Sequence, residues 1–462
     1  MRLNRLTNFM SEAIREIGVE KKKIFIASFW VILIFGLSQV LRLGSNLVLT
    51  RLLEPELFGV MAVMSVVMFG ITMFTDLGLW AFVVRHKTPD DPHVLNVVWT
   101  LHVVRGVFVF LLISFMVTML YLGNQYIPEY FHGIYTDPRL PILISVASLG
   151  ALIAGCKSLA SPIMSLKFDL RKLELIELMA QFVSTSVMLI WAWFYPSIWP
   201  LVASGLISAI ISTFSSYYFF PFRHHLVWDK AIVKEVFHFS KWIVIASALT
   251  YLFSQSDKLF FAGKITAAQL GVYSIAFMLV GTLTSITQML AERIVFPVFA
   301  GLVHGDRKLL KNKYYKVRLY LDSPIFLAAG LLVALGPTIV SILYDSRYSD
   351  AGWMFQILIV SVIGHTLSLV SMECLSALSI TQVRMWVMLI RTVALFIGLP
   401  IAYNFYGFNS AIWVIAINVW LSLPLVYWTL AKNSVFSFYK EVRMLPMILV
   451  GYVLGITIVS FI

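Results

Sequence analysis

The stretch FSQSDKLFFAGKITAAQLGVYSIAF, residues 253–277, reads as an apolar helix, a tight turn around Ile265 to Gln269, and a second apolar helix. The first helix carries an acid and a base side by side, Asp257 and Lys258. Charges at membrane depth are costly, so by default they face a partner or a water-filled cavity. The same design occurs earlier. A shift of 212 residues places Ser240 on Ser28, Trp242 on Trp30, Leu249 on Leu37, Leu259 on Leu47, Gly271 on Gly59 and Val272 on Val60 without a gap. The earlier copy also has an intramembrane charge, Arg42. A helix–turn–helix with glycine at the same place in both copies points to an internal repeat.

Composition sets the class. The chain has 462 residues, of which 60% are hydrophobic and 13% charged. That is more apolar surface than a soluble core hides, so an all-α polytopic membrane protein is expected. The two cysteines, Cys156 and Cys374, lie in apolar stretches and suggest neither a disulfide framework nor a metal cluster. The polar start, 1–23, ends in three lysines and precedes an apolar run too long for a signal peptide, so a retained first span is expected. Residues 8–20 have the pattern of a short amphipathic helix at the membrane surface.

A helix needs about 20 apolar residues to cross a bilayer. On that basis spans are expected near 24–50, 57–79, 95–122, 141–164, 173–195, 197–220, 239–263, 268–296, 318–344, 353–380, 383–406, 410–432 and 444–462, about thirteen in all. Alternate loops hold 24 of the 35 Lys and Arg, and the opposite loops hold only Arg51, Arg139, Lys264 and Arg347. Basic loops face the cytoplasm, which puts the amino end inside and the carboxyl end outside. The expected division is an amino-terminal segment 1–23, an N-lobe 24–220 with helices 1–6, a cytoplasmic linker 221–238, a C-lobe 239–432 with helices 7–12, and 433–462 with an extra helix. Two parallel six-helix lobes suit a transporter whose site lies near the membrane midplane. The formal net charge of +12 fits this topology signal, and also attraction to an anionic lipid or substrate.

Chemistry rests with charges inside the spans. At 1.5 Å per residue, Arg105 lies roughly 15 Å into its span and Arg391 roughly 12 Å into its own. Arg42, Asp257 and Lys258 sit in the outer parts of theirs. Asp76, Glu292 and Arg293 lie near inner ends, within snorkelling reach of headgroups. Lys157 and Glu373 complete the set. Excess cations at depth suit a phosphate or pyrophosphate, which arginine binds with a two-pronged fork. The structural alternative is that Arg105 and Arg391 pair with Asp257, Asp76 or Glu373 and lock helices together. Substrate contact is therefore expected from Arg42, Arg105, Asp257, Lys258 and Arg391, and ion coupling from Asp76, Asp257 and Glu373. His102 reads as a core histidine or as a neighbour of Arg105. No phosphate-binding glycine loop, zinc spacing or nucleophile elbow is present, so no cofactor and no catalysis are expected, with Na+ or H+ as the coupling ion.

Four stretches carry a family resemblance. LLEPELFGV at 52–60, TDLGLWAFVVRH at 75–86, SPIMSLKFDLRKLELIELMAQFVST at 161–185 and SQSDKLFFAGKITAAQLGVYSIAF at 254–277 resemble segments of Wzx-type oligosaccharide flippases. These form the polysaccharide transporter branch of the multidrug/oligosaccharidyl-lipid/polysaccharide (MOP) exporter superfamily. The resemblance spans roughly 24–430, matching the family in order and spacing. It implies two six-helix lobes in a V around a cationic lumen, in a bacterial inner membrane. It implies transfer of an undecaprenyl-pyrophosphate-linked oligosaccharide between leaflets. Membrane lipids, the lipid-linked substrate and polysaccharide polymerase or other assembly proteins are then the expected partners, with no nucleic acid. A drug/cation antiporter of the same superfamily, a lipid II flippase and a membrane glycan transferase are the rival readings. The transferase needs a sizeable outer loop, and the longest, 123–140, has about 18 residues.

Overall fold

The computed structural model describes residues 30, 32–126, 132–159, 162–164, 170–219, 222–302 and 307–461. The segment 1–23, with the surface helix expected over 8–20, lies outside the described residues. The described residues are almost entirely helical and include no strand. In chain order the helices are α1 (Ile32–Leu52), α2 (Pro55–Phe74), α3 (Leu79–Arg85), α4 (Pro92–Tyr126), α5 (Arg139–Gly155), α6 (Leu170–Phe194), α7 (Trp199–Phe219) and α8 (Lys230–Ala262). They continue as α9 (Ala267–Leu290), α10 (Phe296–Ala300), α11 (Arg307–Leu343), α12 (Ala351–Ala377), α13 (Gln382–Asn418), α14 (Leu423–Lys432), α15 (Phe438–Val442) and α16 (Pro446–Val459).

Among the described residues, 11 helical stretches are long and apolar enough to cross a membrane. The chain is a multi-pass membrane protein. Two stretches differ from the expected spans. The span expected at 141–164 is the shorter α5, 17 residues long and ending at Gly155. The spans expected at 383–406 and 410–432 form one stretch, Gln382–Lys432, broken at Gly407 with φ 81° and ψ −171°. That backbone conformation belongs to glycine, which has no Cβ to clash. Large apolar side chains such as Phe214, Phe405, Tyr406 and Trp428 are exposed, as expected of surfaces that meet lipid.

The chain divides into two compact units. The first comprises Met1–Leu49, Phe74–Thr118 and Ile142–Ile245. Its core gathers Leu79, Phe82 and Val83 of α3, Val94, Leu95, Val98 and Leu101 of α4, and Val236 of α8. α1 is tied to α6 by a hydrogen bond of 2.5 Å from Ser38 Oγ to Gln181 Oε1. α4 meets α5 where two glycines let the backbones touch: a Cβ on Gly106 would lie 2.8 Å from the Ala151 carbonyl oxygen. His102 Nδ1 bonds the Gly155 carbonyl beside this crossing, at 3.0 Å.

The basic segment before α8 packs through His224. The Leu159 N–H donates to His224 Nε2 at 3.3 Å, and the ring stacks on Trp99 with centroids 5.3 Å apart. Burial, and then the adjacent His225, lower the ring from the ordinary 6.5 to about 4. A depressed histidine stabilises the fold above the unfolded value, and that contribution is lost as pH falls towards the folded value. The melting temperature in detergent should therefore fall between about pH 6.5 and 4, and His224→Gln, which keeps an acceptor and cannot titrate, should flatten that part of the profile.

The second unit comprises Thr50–Met73, Met119–Pro141 and Ala246–Ile462. The opening stretch folds as expected, with α8 and α9 joined by a turn that Thr266 and Gln269 close. The Thr266 side chain accepts from the Gln269 N–H at 3.2 Å, and Gln269 Oε1 accepts from the Thr266 N–H at 3.2 Å. This reciprocal cap satisfies two free donors at the start of α9. The carboxyl-terminal α16 lies along α11 with backbones in contact, since a Cβ on Gly451 would come 2.0 Å from the Leu327 oxygen. Small residues at such crossings are how membrane helices approach closely.

Candidate functional site

In the first unit the structure brings together Asp76 and Arg105. Asp76 Oδ1 accepts from the Gly78 N–H at 3.0 Å and so holds the turn before α3, where Gly78 has φ 60°. Arg105 Nε donates to the Thr75 carbonyl at 2.7 Å, and its charge is felt by Asp76. Arg105 thus ties α4 to the end of α2 through a backbone carbonyl. Arg42 lies on α1 with its side chain exposed. Lys157 sits just past α5, where Nζ donates to Glu177 Oε1 at 2.6 Å and to Ser212 Oγ at 2.7 Å.

In the second unit Asp257 and Lys258, adjacent in sequence, go to different partners on α9. Tyr273 donates its hydroxyl to the buried carboxylate of Asp257. Lys258 Nζ lies over the Phe277 ring, 5.1 Å from its centroid. Both contacts fasten the α8–α9 hairpin. Glu373 accepts from Arg384 Nη2 at 3.1 Å. The side chain of Arg293 lies outside the described ones.

Arg391 differs from these residues. Its guanidinium lies over the Phe253 ring, 4.4 Å from the centroid. Nε is buried and has no hydrogen-bond partner among the described residues, and neither Asp257 nor Glu373 is its partner. His365 on α12 is near enough to feel its charge, and His365 Nε2 is also buried and unpartnered. A ring face attracts a guanidinium without occupying its N–H donors, which stay free for an anion.

A second polar feature of this unit is a cleft of about 840 Å³ lined by Glu56, Asp137, Arg139, Lys264, Thr266 and neighbouring backbone. Arg139 ion-pairs with both Glu56 and Asp137. Burial pushes the Asp137 carboxyl up, but hydrogen bonds from Arg139 outweigh it and hold the group below the ordinary carboxylate range. The sequence reading also passed over a buried group of charges around Arg318, for which the i, i+4 spacing of Arg318 and Asp322 is the available signal.

The sequence matches a known family. A family model described as polysaccharide biosynthesis protein matches residues 48–353, well over half of the chain. The chain belongs to the polysaccharide biosynthesis protein family. Among relatives, the chain is 21% identical over 331 residues to the lipopolysaccharide biosynthesis protein WzxC of Escherichia coli K12, covering 71% of the chain and 64% of the relative. It is 24% identical over 297 residues to an uncharacterised membrane protein in the cps region of Klebsiella pneumoniae, covering 62% of the chain and 57% of that relative. The matched region thus spans less than two thirds of either relative's length.

Among solved structures, the lipid II flippase MurJ in an inward closed conformation superposes with a TM-score of 0.69 at 12% identity, covering 93% of this chain and 92% of that one. An inward-facing multidrug resistance MATE family transporter of the MOP superfamily superposes with a TM-score of 0.65 at 14% identity, covering 86% and 94%. The fold is that of MOP-superfamily transporters, and the expected resemblance to Wzx-type flippases holds.

Proposed function

We propose that this protein is a flippase that moves an undecaprenyl-pyrophosphate-linked oligosaccharide across the bacterial inner membrane by alternating access through a cationic cavity. The observation that carries the reading is Arg391, a guanidinium at depth that rests on Phe253 and has no anionic partner among the described residues. An unpaired charge in such a place is expensive, and a substrate anion offsets the cost. A pyrophosphate accepts the two-pronged fork of arginine. The polyprenyl tail stays in lipid while the charged, hydroxyl-rich head crosses. Arg42, Arg105 and Lys258 supply further positive charge, and Asp76, Asp257 and Glu373 are the proposed carriers of a coupling H+ or Na+. A polymerase or other assembly protein would take the delivered glycan. The amino end is cytoplasmic in this reading.

Binding to protein in lipid nanodiscs tests it. Polyprenyl-pyrophosphate glycan should bind well above polyprenol, and Arg391→Ala should weaken it by about 10- to 100-fold, the worth of a charge-assisted hydrogen bond of about 1.5–3 kcal/mol. Equal binding of polyprenol and the pyrophosphate would sink the reading. Proton-coupled efflux of cationic dyes without lipid binding would favour an antiporter.

A further inference from the structure

The polar start of α11 carries Arg318 and Asp322 one turn apart, and both side chains are 0% exposed. Arg318 Nε donates to Asp322 Oδ2 at 2.6 Å, and Nη1 donates to Tyr314 Oη at 3.0 Å. The same Nη1 reaches Glu441 Oε2 on α15, and Glu441 is 5% exposed. Tyr315 and Tyr314 donate to Glu441 Oε1 at 3.0 and 3.4 Å. Ser371 of α12 bonds Tyr314 at 2.9 Å, and Tyr427 of α14 faces both Arg318 and Glu441. Lys440 of α15 lies over the Tyr315 ring, 5.2 Å from its centroid. Glu373 of α12 turns instead to Arg384, and the titratable side chain on α16 is Tyr452.

The buried group therefore holds one guanidinium and two carboxylates, a net charge of −1. Such an excess is costly in a low-dielectric setting, and two carboxylates that share a site favour protonation of one of them. Three polar atoms here lack a partner among the described residues: Asp322 Oδ1, Arg318 Nη2 and Ser323 Oγ. The two acids are not equivalent. Glu441 is held by three hydrogen bonds, from Arg318, Tyr314 and Tyr315, whereas Asp322 accepts one and leaves Oδ1 open. Pro324 lies in the next turn of α11 and cannot donate to the carbonyl four residues before it, so the backbone here is also short of a bond.

We propose that this cluster is a proton-binding site, with Asp322 carrying the proton on Oδ1 while Arg318 and Glu441 form the ion pair. The bound proton neutralises the cluster and keeps α15 fastened to α11. Its loss leaves an uncompensated buried charge at the root of the carboxyl-terminal helix α16.

Infrared spectroscopy of protein in nanodiscs tests the assignment. At neutral pH the wild type should show the C=O stretch of a carboxylic acid, shifted in D2O, and its difference from Asp322→Asn should amount to about one acid per chain, whereas the Glu441→Gln difference should lack it. The band should fade as pH rises and be indifferent to added NaCl. As a check that needs no variant, the wild-type melting temperature should fall as pH rises from about 6.5 to 8, above the range in which His224 acts, because the folded state holds a proton that the unfolded chain releases. A wild-type spectrum without this band, a band that survives in Asp322→Asn, or one that disappears on addition of Na+ would overturn the proposal.

Discussion

Arg391→Ala should reduce headgroup translocation by about 10- to 100-fold while leaving the protein folded and in the membrane. The fold should survive because the guanidinium contributes no hydrogen bond or ion pair to its own unit among the described residues; its contact is the face of Phe253. An exposed cation–π contact is worth about 0.5–1 kcal/mol, and a desolvated one about 2 kcal/mol. Removing the charge also removes its desolvation cost, so the net change in stability is small. Arg391→Lys should recover part of the activity, because an ammonium keeps the charge but not the fork. Arg105→Ala should behave differently. Arg105 donates to the Thr75 carbonyl and faces Asp76, so its loss removes a part-buried hydrogen bond between α4 and the end of α2 and should lower the melting temperature as well as transport. The comparison of activity with melting temperature across the two variants separates a substrate-facing arginine from one with a structural share.

The largest expected effect on stability lies at Gly59 and Gly271. A Cβ on Gly59 would fall 1.9 Å from the Ala267 carbonyl oxygen, and one on Gly271 would fall 1.9 Å from the Pro55 carbonyl oxygen. Both obstacles are backbone, so no rotamer change relieves them and α2 must separate from α9. Overpacking commonly costs about 1–3 kcal/mol, and a backbone overlap at a helix crossing belongs at or above the top of that range. Either Gly→Ala change should therefore lower the melting temperature strongly, and the double variant should cost less than the sum, because one separation of the helices serves both. Gly281→Ala on α9 is the control. Nothing lies within 4 Å of that position, and alanine there should be neutral or stabilising by up to about 1 kcal/mol.

This crossing shows how much was legible beforehand. The shift of 212 residues that aligns the two copies equates Gly59 with Gly271, and it also equates Pro55 with Ala267. The structure sets these four positions against each other in a reciprocal contact. The alternation of basic and neutral loops, the apolar run lengths and the Thr266 turn were equally readable, because each is a local pattern with a local cause. The expected depth of Arg391 came from counting residues. Its lack of an acid among the described residues did not, since Asp257 and Glu373 were available until Tyr273 and Arg384 claimed them. α5 ended early at Gly155, where Lys157 turns to Glu177 and Ser212 from other helices. The Arg318 cluster was hidden for the same reason: Arg318 and Asp322 look like a solvated pair at the edge of a span, and Glu441 joins them only through the fold.

The central claim is tested most directly in inner-membrane vesicles from cells with and without the chain. The measurement follows a radiolabelled polyprenyl-pyrophosphate glycan and asks whether its headgroup becomes accessible from the opposite face. The account predicts chain-dependent transfer that is lost in Arg391→Ala at normal protein levels. Chain-dependent transfer undiminished in Arg391→Ala would remove Arg391 from the site, and no chain-dependent transfer, with altered glycan length or linkage in its place, would contradict the flippase reading itself.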